Sequence, residues 1–144
     1  MRLGTNDIKE AIVSILNGAG YRVYDEHVRD PDFSKGPLIF VEVSPAAWAF
    51  GGAGIYETRR YIIDCGYVAG EVPTRREMYE ALDAMQDLLT PAIPIGDRSP
   101  TVDGVNYSIV DGVAHCILEI ELTQKRIDRE TEDYMETLDV SMTT

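Results

Sequence analysis

The chain has 144 residues, of which 25 are Asp or Glu and 13 are Lys or Arg, so its net charge is −12. This length favours one domain that buries a core without metal or disulfide support. The excess of acids argues against sequence-specific nucleic-acid binding and against attachment to an anionic membrane, because both depend on Lys and Arg. The sequence contains no stretch of ~20 apolar residues and no signal-peptide pattern at its N-terminus. We therefore expect it to mature in a cytoplasm.

Apolar spacing predicts two amphipathic helices. The first has a stripe at helical intervals, formed by Ile8, Ile12, Ile15 and Ala19. Thr5 or Asn6 is expected to cap its N-terminus. The second helix follows a capping box of Thr74 and Glu77 and cannot continue through Pro91. Its apolar stripe consists of Met78, Leu82, Met85 and Leu89.

Three strands are predicted between the helices: Tyr21–Val28, Leu38–Val43 and Ile55–Val68. Pro45 is expected to end the second of them. The third is long, and only its half from Tyr61 onward has an apolar face, formed by Tyr61, Ile63, Cys65 and Tyr67. Neither face of the earlier half is apolar. This difference predicts a hairpin that projects beyond the domain.

A second hairpin is predicted around Asp111-Gly112, a dipeptide typical of two-residue turns with positive φ. The turn pairs three inward positions with three others: Ile109 with Ala114, Tyr107 with Cys116, and Val105 with Leu118. Together these elements predict an α+β fold, with a mainly antiparallel β-sheet, two helices packed on one face and a projecting β-hairpin arm.

The domain is expected to span residues 1–126, followed by an acidic C-terminal tail at residues 127–144. The tail carries six acids and one arginine, a net charge of −5. Two interpretations of the tail remain open. It is either a solvated tail or a segment that orders against a neighbouring subunit.

Residues that could perform chemistry are scattered through the sequence. His27 and His115 have no second histidine at ligand spacing, and Gly51–Gly54 lacks the GK[ST] ending of a phosphate loop. Cys65 and Cys116 form no CxxC motif and are expected to be buried free thiols. We therefore predict no catalytic, cofactor-binding or metal-binding residues and no cofactor.

The segment from Ser44 to Gly54 holds the only tryptophan, Trp48, together with Phe50 and a run of glycines. Exposed aromatic side chains on a hairpin tip favour a surface that a partner covers. The alternative is that Trp48 folds back onto its own sheet. The candidate subunit or partner interface comprises Trp48, Phe50, Ile55, Tyr56, Arg59 and Arg60.

The order of these elements is similar to that of a known family. An apolar strand, Pro37–Val41, is followed by a long strand with Tyr-Glu-Thr-Arg-Arg-Tyr at 56–61 and by a helix that opens with Pro-Thr-Arg-Arg-Glu-Met-Tyr at 73–79. The pattern resembles the tail terminator proteins of long-tailed bacteriophages over about residues 5–125. The glycine-rich loop and the acidic tail do not contribute to the resemblance.

The resemblance implies a structural virion protein with no enzymatic activity. It implies a hexameric ring of this chain that caps the tail tube and joins it to the head connector, assembled in the host cytoplasm. The implied partners are the chain itself, the tail tube protein and the head-tail connector protein, with DNA passing non-specifically through the ring and no membrane. Three alternatives remain: another neck or head-completion protein, a soluble acidic inhibitor that mimics DNA, and an enzyme of unrecognised type.

Overall fold

The computed structural model describes residues 2–24, 36–69 and 74–126. Predictions for His27, for the end of the first strand and for the acidic tail lie outside these residues. The elements, in chain order, are α1 (Thr5–Gly18), β1 (Val23–Tyr24), β2 (Leu38–Gly51), a short 3-10 turn (Gly52–Gly54), β3 (Tyr56–Val68), α2 (Arg75–Leu89), β4 (Val102–Val110) and β5 (Val113–Lys125).

Within the described residues, one sheet has the strand order β1-β2-β3-β5-β4. Strands β2 to β5 pair antiparallel, and the short β1 pairs parallel with β2. Both helices contribute buried residues to a single core with the inward-facing residues of the sheet. We call this face of the sheet the helix side and the opposite face the outer face. The predicted α+β fold is confirmed.

The N-terminal helix α1 differs from its prediction in two details. Its N-cap is Gly4, whose backbone N–H donates to the Asp7 carboxylate at 2.7 Å, and not Thr5 or Asn6. Its buried stripe is Ile8, Ile12 and Leu16. Leu16 is fully buried, whereas Ile15, which the prediction placed in the stripe, is only partly buried against the core.

The second helix, α2, follows its prediction closely. The Thr74 hydroxyl accepts the backbone N–H of Glu77 at 3.3 Å, which caps the helix. The Glu77 carboxylate accepts the hydroxyl of Tyr67 on β3 at 2.8 Å and so connects the helix to the sheet. The predicted stripe is buried, and Ala81 joins it.

Strand β2 continues through Pro45 to Gly51, so the prediction that Pro45 ends it is wrong. The pairing with β3 shifts register between Pro45 and Ala47. Among the described residues β1 pairs only with Ile39 and Phe40, which leaves the rest of β2 as a sheet edge. Proline is tolerated at such an edge because its missing N–H has no neighbouring strand to reach.

Strand β3 is paired along its whole length on both sides, from Tyr56 with Lys125 to Val68 with Val113 on β5. The predicted arm is therefore the far end of a three-stranded region in which β2 is the exposed outer strand. Its residues from Ser44 to Gly51 are all exposed.

The hairpin of β4 and β5 has the predicted register, since Ile109, Tyr107 and Val105 lie opposite Ala114, Cys116 and Leu118. Asp111 and Gly112 have φ values of 50° and 77°, the positive angles that this turn requires. Every second residue of β5 is buried on the helix side: Ala114, Cys116, Leu118, Ile120 and Leu122. Within residues 2–24, 36–69 and 74–126, no helix is both long and apolar enough to span a membrane.

Candidate functional site

The arm contains a buried carboxylate. Glu57 on β3 is only 1% exposed, although its neighbours in the sequence are polar. Its two oxygens accept both a bidentate pair from Arg2, at 2.7 and 2.9 Å, and Nε2 of Gln124 at 3.0 Å. The hydrogen bonds from Arg2 are the largest cause that lowers the pKa of Glu57, from 4.5 to about 2. Glu57 is therefore a charged group held on the helix side of the sheet.

The same carboxylate connects the arm to the start of the chain. Gln124 on β5 accepts the backbone N–H of Leu3 at 2.8 Å and donates to the carbonyl of Leu3 at 2.7 Å. Leu3 is buried in the core. The segment before α1 is thus fixed against β3 and β5 by side-chain hydrogen bonds.

Glu57 also positions the aromatic residues of β2. The indole Nε1 of Trp48 donates to Glu57 Oε1 at 3.0 Å, and the guanidinium of Arg59 lies 4.4 Å from the centre of the Trp48 ring. Trp48 and Phe50 contact each other with ring centroids 5.1 Å apart. The Arg126 guanidinium lies 5.4 Å from the centre of the Phe50 ring. Together, Trp48, Phe50, Arg59 and Arg126 form the arginine–aromatic surface.

This surface is ordered and exposed at the same time. Trp48 is 53% exposed and Phe50 is 56% exposed, although both contact arginines. The expectation that Trp48 folds back onto its own sheet and the expectation that a partner covers it are therefore compatible. The Nε1 edge of the indole is held by Glu57 and one ring face lies against Arg59, while about half of the side chain remains exposed.

The remaining candidate residues lie elsewhere on the arm. Arg60 is on the outer face, where it forms ion pairs with Glu119 at 3.2 Å and Glu121 at 3.4 Å. Tyr56 is half exposed, on the same face of β3 as Arg60, and Ile55 is partly buried in the turn. The structure therefore brings together Trp48, Phe50 and Arg59 and separates them from Arg60 and Tyr56.

The expectation that neither face of the early half of β3 is buried is wrong at Glu57. The alternation of β3 continues past Tyr61, so that Glu57 and Arg59 lie on the core face. Gln124 continues the buried face of β5 in the same way, two residues after Leu122. This alternation could have predicted the buried site, because polar residues on a core face require hydrogen-bond partners. No comparable sequence pattern predicts that Arg2 pairs with Glu57.

The outer face carries a separate pair of titratable groups. His115 Nδ1 lies 2.9 Å from Asp64 Oδ1 beside a hollow of about 320 Å³, whose lining includes Phe40 and Val110. Burial raises the pKa of Cys116 to about 11 and that of Cys65 further, so both thiols are protonated near neutral pH. In the part of the chain that the structure describes, no cluster of three His, Cys, Asp or Glu side chains could hold a metal ion.

A model of the phage tail terminator protein family matches residues 7–133. The chain belongs to the phage tail terminator protein family. No match to it is found among curated proteins. Family membership confirms the resemblance inferred from the sequence and makes the chain a structural component of a phage tail. The matched residues include the arm, Glu57 and Arg126, whereas Arg2 precedes them.

Proposed function

We propose that this tail terminator chain assembles into a ring, hexameric as the family resemblance implies, which caps the tail tube. The ring also joins the tube to the head connector protein. The arm from Ser44 to Arg60 packs on an adjacent subunit or on the tube. This function requires contact surfaces and no chemical step.

The arginine–aromatic surface is the observation that carries this proposal. Tryptophan and arginine dominate the energetics of protein interfaces when they are buried there. Trp48 and Phe50 are more than half exposed in the isolated chain, yet the Glu57 carboxylate and two guanidinium groups hold this surface in place. A surface that is already ordered loses little conformational entropy on binding.

The charge of the chain fits the passage of DNA. A net charge of −12 repels a phosphate backbone, so a ring of this chain lets DNA move through without gripping it. We expect no measurable binding of duplex DNA to the purified chain at physiological salt in a mobility-shift experiment. Retention of DNA at such salt would contradict this part of the proposal.

The arm is tested by sedimentation velocity of the purified chain, alone and with purified tail tube protein. The wild-type chain is expected to form a closed oligomer that remains bound to tube ends and stops their growth. The double variant Trp48→Ala, Phe50→Ala is expected to raise the dissociation constant of assembly at least about tenfold. Each of the two substitutions removes an aromatic contact worth ~2 kcal/mol. Folding is expected to persist, since both side chains are exposed.

Ile62→Ala is the matched control, because Ile62 is an exposed apolar residue on the outer face of β3. It is expected to assemble like the wild type. Equal sedimentation of the arm variant and the wild type in both mixtures would remove the arm from the proposal. A wild-type chain that neither self-associates nor binds tube protein would overturn the ring itself.

A further inference from the structure

A second exposed aromatic site lies between α2 and the edge strand β4. Tyr79 is 52% exposed and Tyr107 is 48% exposed, and with Leu82 and Asp83 they line a hollow of about 400 Å³. We call these four residues the tyrosine hollow. Partial burial raises the pKa of Tyr107, and the nearby charges of Asp83 and Asp87 add to this effect. The lining of the hollow thus combines the apolar surfaces of Tyr79, Leu82 and Tyr107 with the carboxylate of Asp83.

The arginine–aromatic surface has the complementary properties. Its protruding rings, Trp48 and Phe50, are apolar, and the guanidinium groups of Arg59 and Arg126 lie against them. Such a surface fits a hollow of tyrosines bordered by acids, because rings fill the hollow while guanidinium groups meet carboxylates. Arg126 is exposed, and its Nε donates to the carbonyl of Gly54.

The two sites cannot meet within one chain. Both lie on the helix side, since Trp48 is in register with Arg59 and Tyr107 is in register with the buried Cys116. However, β3 and β5 lie between β2 and β4 in the sheet. Along β5, the residue in register with Arg59 and the residue in register with Tyr107 are six positions apart. These offsets correspond to about 14 Å across the sheet and about 20 Å along it. A contact between the two sites therefore joins different copies.

We propose that the arginine–aromatic surface of one subunit docks into the tyrosine hollow of the next. This inference rests on the proposed ring and names the two surfaces that close it. Two different surfaces at opposite edges of one sheet form a heterologous contact, which is the kind that generates a closed ring by repetition.

Disulfide capture tests the contact even where assembly is weak. The chain with Phe50→Cys and Tyr79→Cys is expected to oxidise into a ladder of covalent oligomers larger than dimers. Each single variant stops at the dimer, since it offers one reactive thiol while the native cysteines are buried. The comparison pair Phe50→Cys with Glu119→Cys, the latter on the outer face, is expected to give no ladder. Equal ladders from both pairs, or none from the first, would overturn the inference.

Charge exchange provides an independent test by sedimentation. Arg126→Glu and Asp83→Arg are each expected to raise the dissociation constant of assembly about tenfold. The double variant is expected to return to within about threefold of the wild type, because the pair is restored with reversed sign. Arg60→Glu tests the outer face of the arm, and the matched controls are Lys9→Glu and Glu10→Arg on α1, which are expected to assemble normally.

Several results of these experiments would contradict the inference. If the wild type assembles but the double variant shows no recovery, the ring stands and the tyrosine hollow is not the partner. If Arg60→Glu is the damaging variant, the contact lies on the outer face. If removal of residues 127–144 abolishes assembly while Asp83→Arg does not, the acidic segment is the occupant. A wild type that assembles under no condition overturns both the inference and the proposed function.

Discussion

Replacement of Glu57 by glutamine is expected to lower the free energy of unfolding at pH 7 by about 2–4 kcal/mol. The carboxylate accepts hydrogen bonds from Arg2, Trp48 and Gln124, and a further long one from Arg59 at 3.3 Å. An amide removes the negative charge from the two guanidinium groups and turns one acceptor into a donor. The expected loss is below that of a fully buried ion pair, because Arg2 is partly solvated.

The effect of this substitution depends on pH with a definite sign. The pKa of Glu57 is lowered to about 2 in the folded chain and is near 4.5 when the chain is unfolded. The stabilisation is therefore complete above about pH 4.5 and is lost as the pH falls toward 2. Urea unfolding of wild type and Glu57→Gln at pH 7, 5, 4 and 3 is expected to show a difference that narrows below pH 4.5.

Glu119→Gln is the control for this measurement. Glu119 forms an exposed ion pair with Arg60 on the outer face, so its substitution is expected to change stability by less than about 0.5 kcal/mol at every pH. A difference between wild type and Glu57→Gln that stays constant from pH 7 to pH 3 would show that the charge of Glu57 does not contribute to folding.

Leu118→Asp is expected to prevent folding. Leu118 is fully buried at the centre of β5, opposite Ile63 on β3 and Val105 on β4. An unpaired carboxylate there costs several kcal/mol, comparable with the ~5–15 kcal/mol stability of a whole domain. Leu82→Asp on α2 is expected to have the same outcome, because Leu82 lies in the same core.

Circular dichroism and solubility of these variants provide the measurement. Ile62→Asp is the matched control, since Ile62 is 42% exposed on the outer face of the neighbouring strand. This variant is expected to fold with a small loss of stability. A soluble Leu118→Asp chain whose melting curve matches that of the wild type would show that the facing of β5 is assigned incorrectly.

Part of the candidate site could be predicted from the sequence. The single tryptophan in a glycine-rich segment points to Trp48 and Phe50, and two adjacent arginines on an exposed strand point to Arg59. Arg126 could not be predicted to join them, because it follows the last strand and approaches Phe50 only when β5 pairs with β3. The sequence predicts Tyr107 as an inward-facing strand residue, whereas its exposure beside Tyr79 depends on where α2 packs.

Elements whose causes are local can be predicted from the sequence alone. The β4–β5 hairpin follows from the Asp111-Gly112 turn and strict alternation, and α2 follows from Thr74 and its apolar stripe. Which residues are covered depends on packing between distant segments. Glu57 is buried because Arg2, Gln124 and Trp48 reach it from three distant segments, and β2 passes Pro45 because no described strand lies beside it there. Burial and edge position depend on neighbours that are remote in the chain, so local patterns do not contain them.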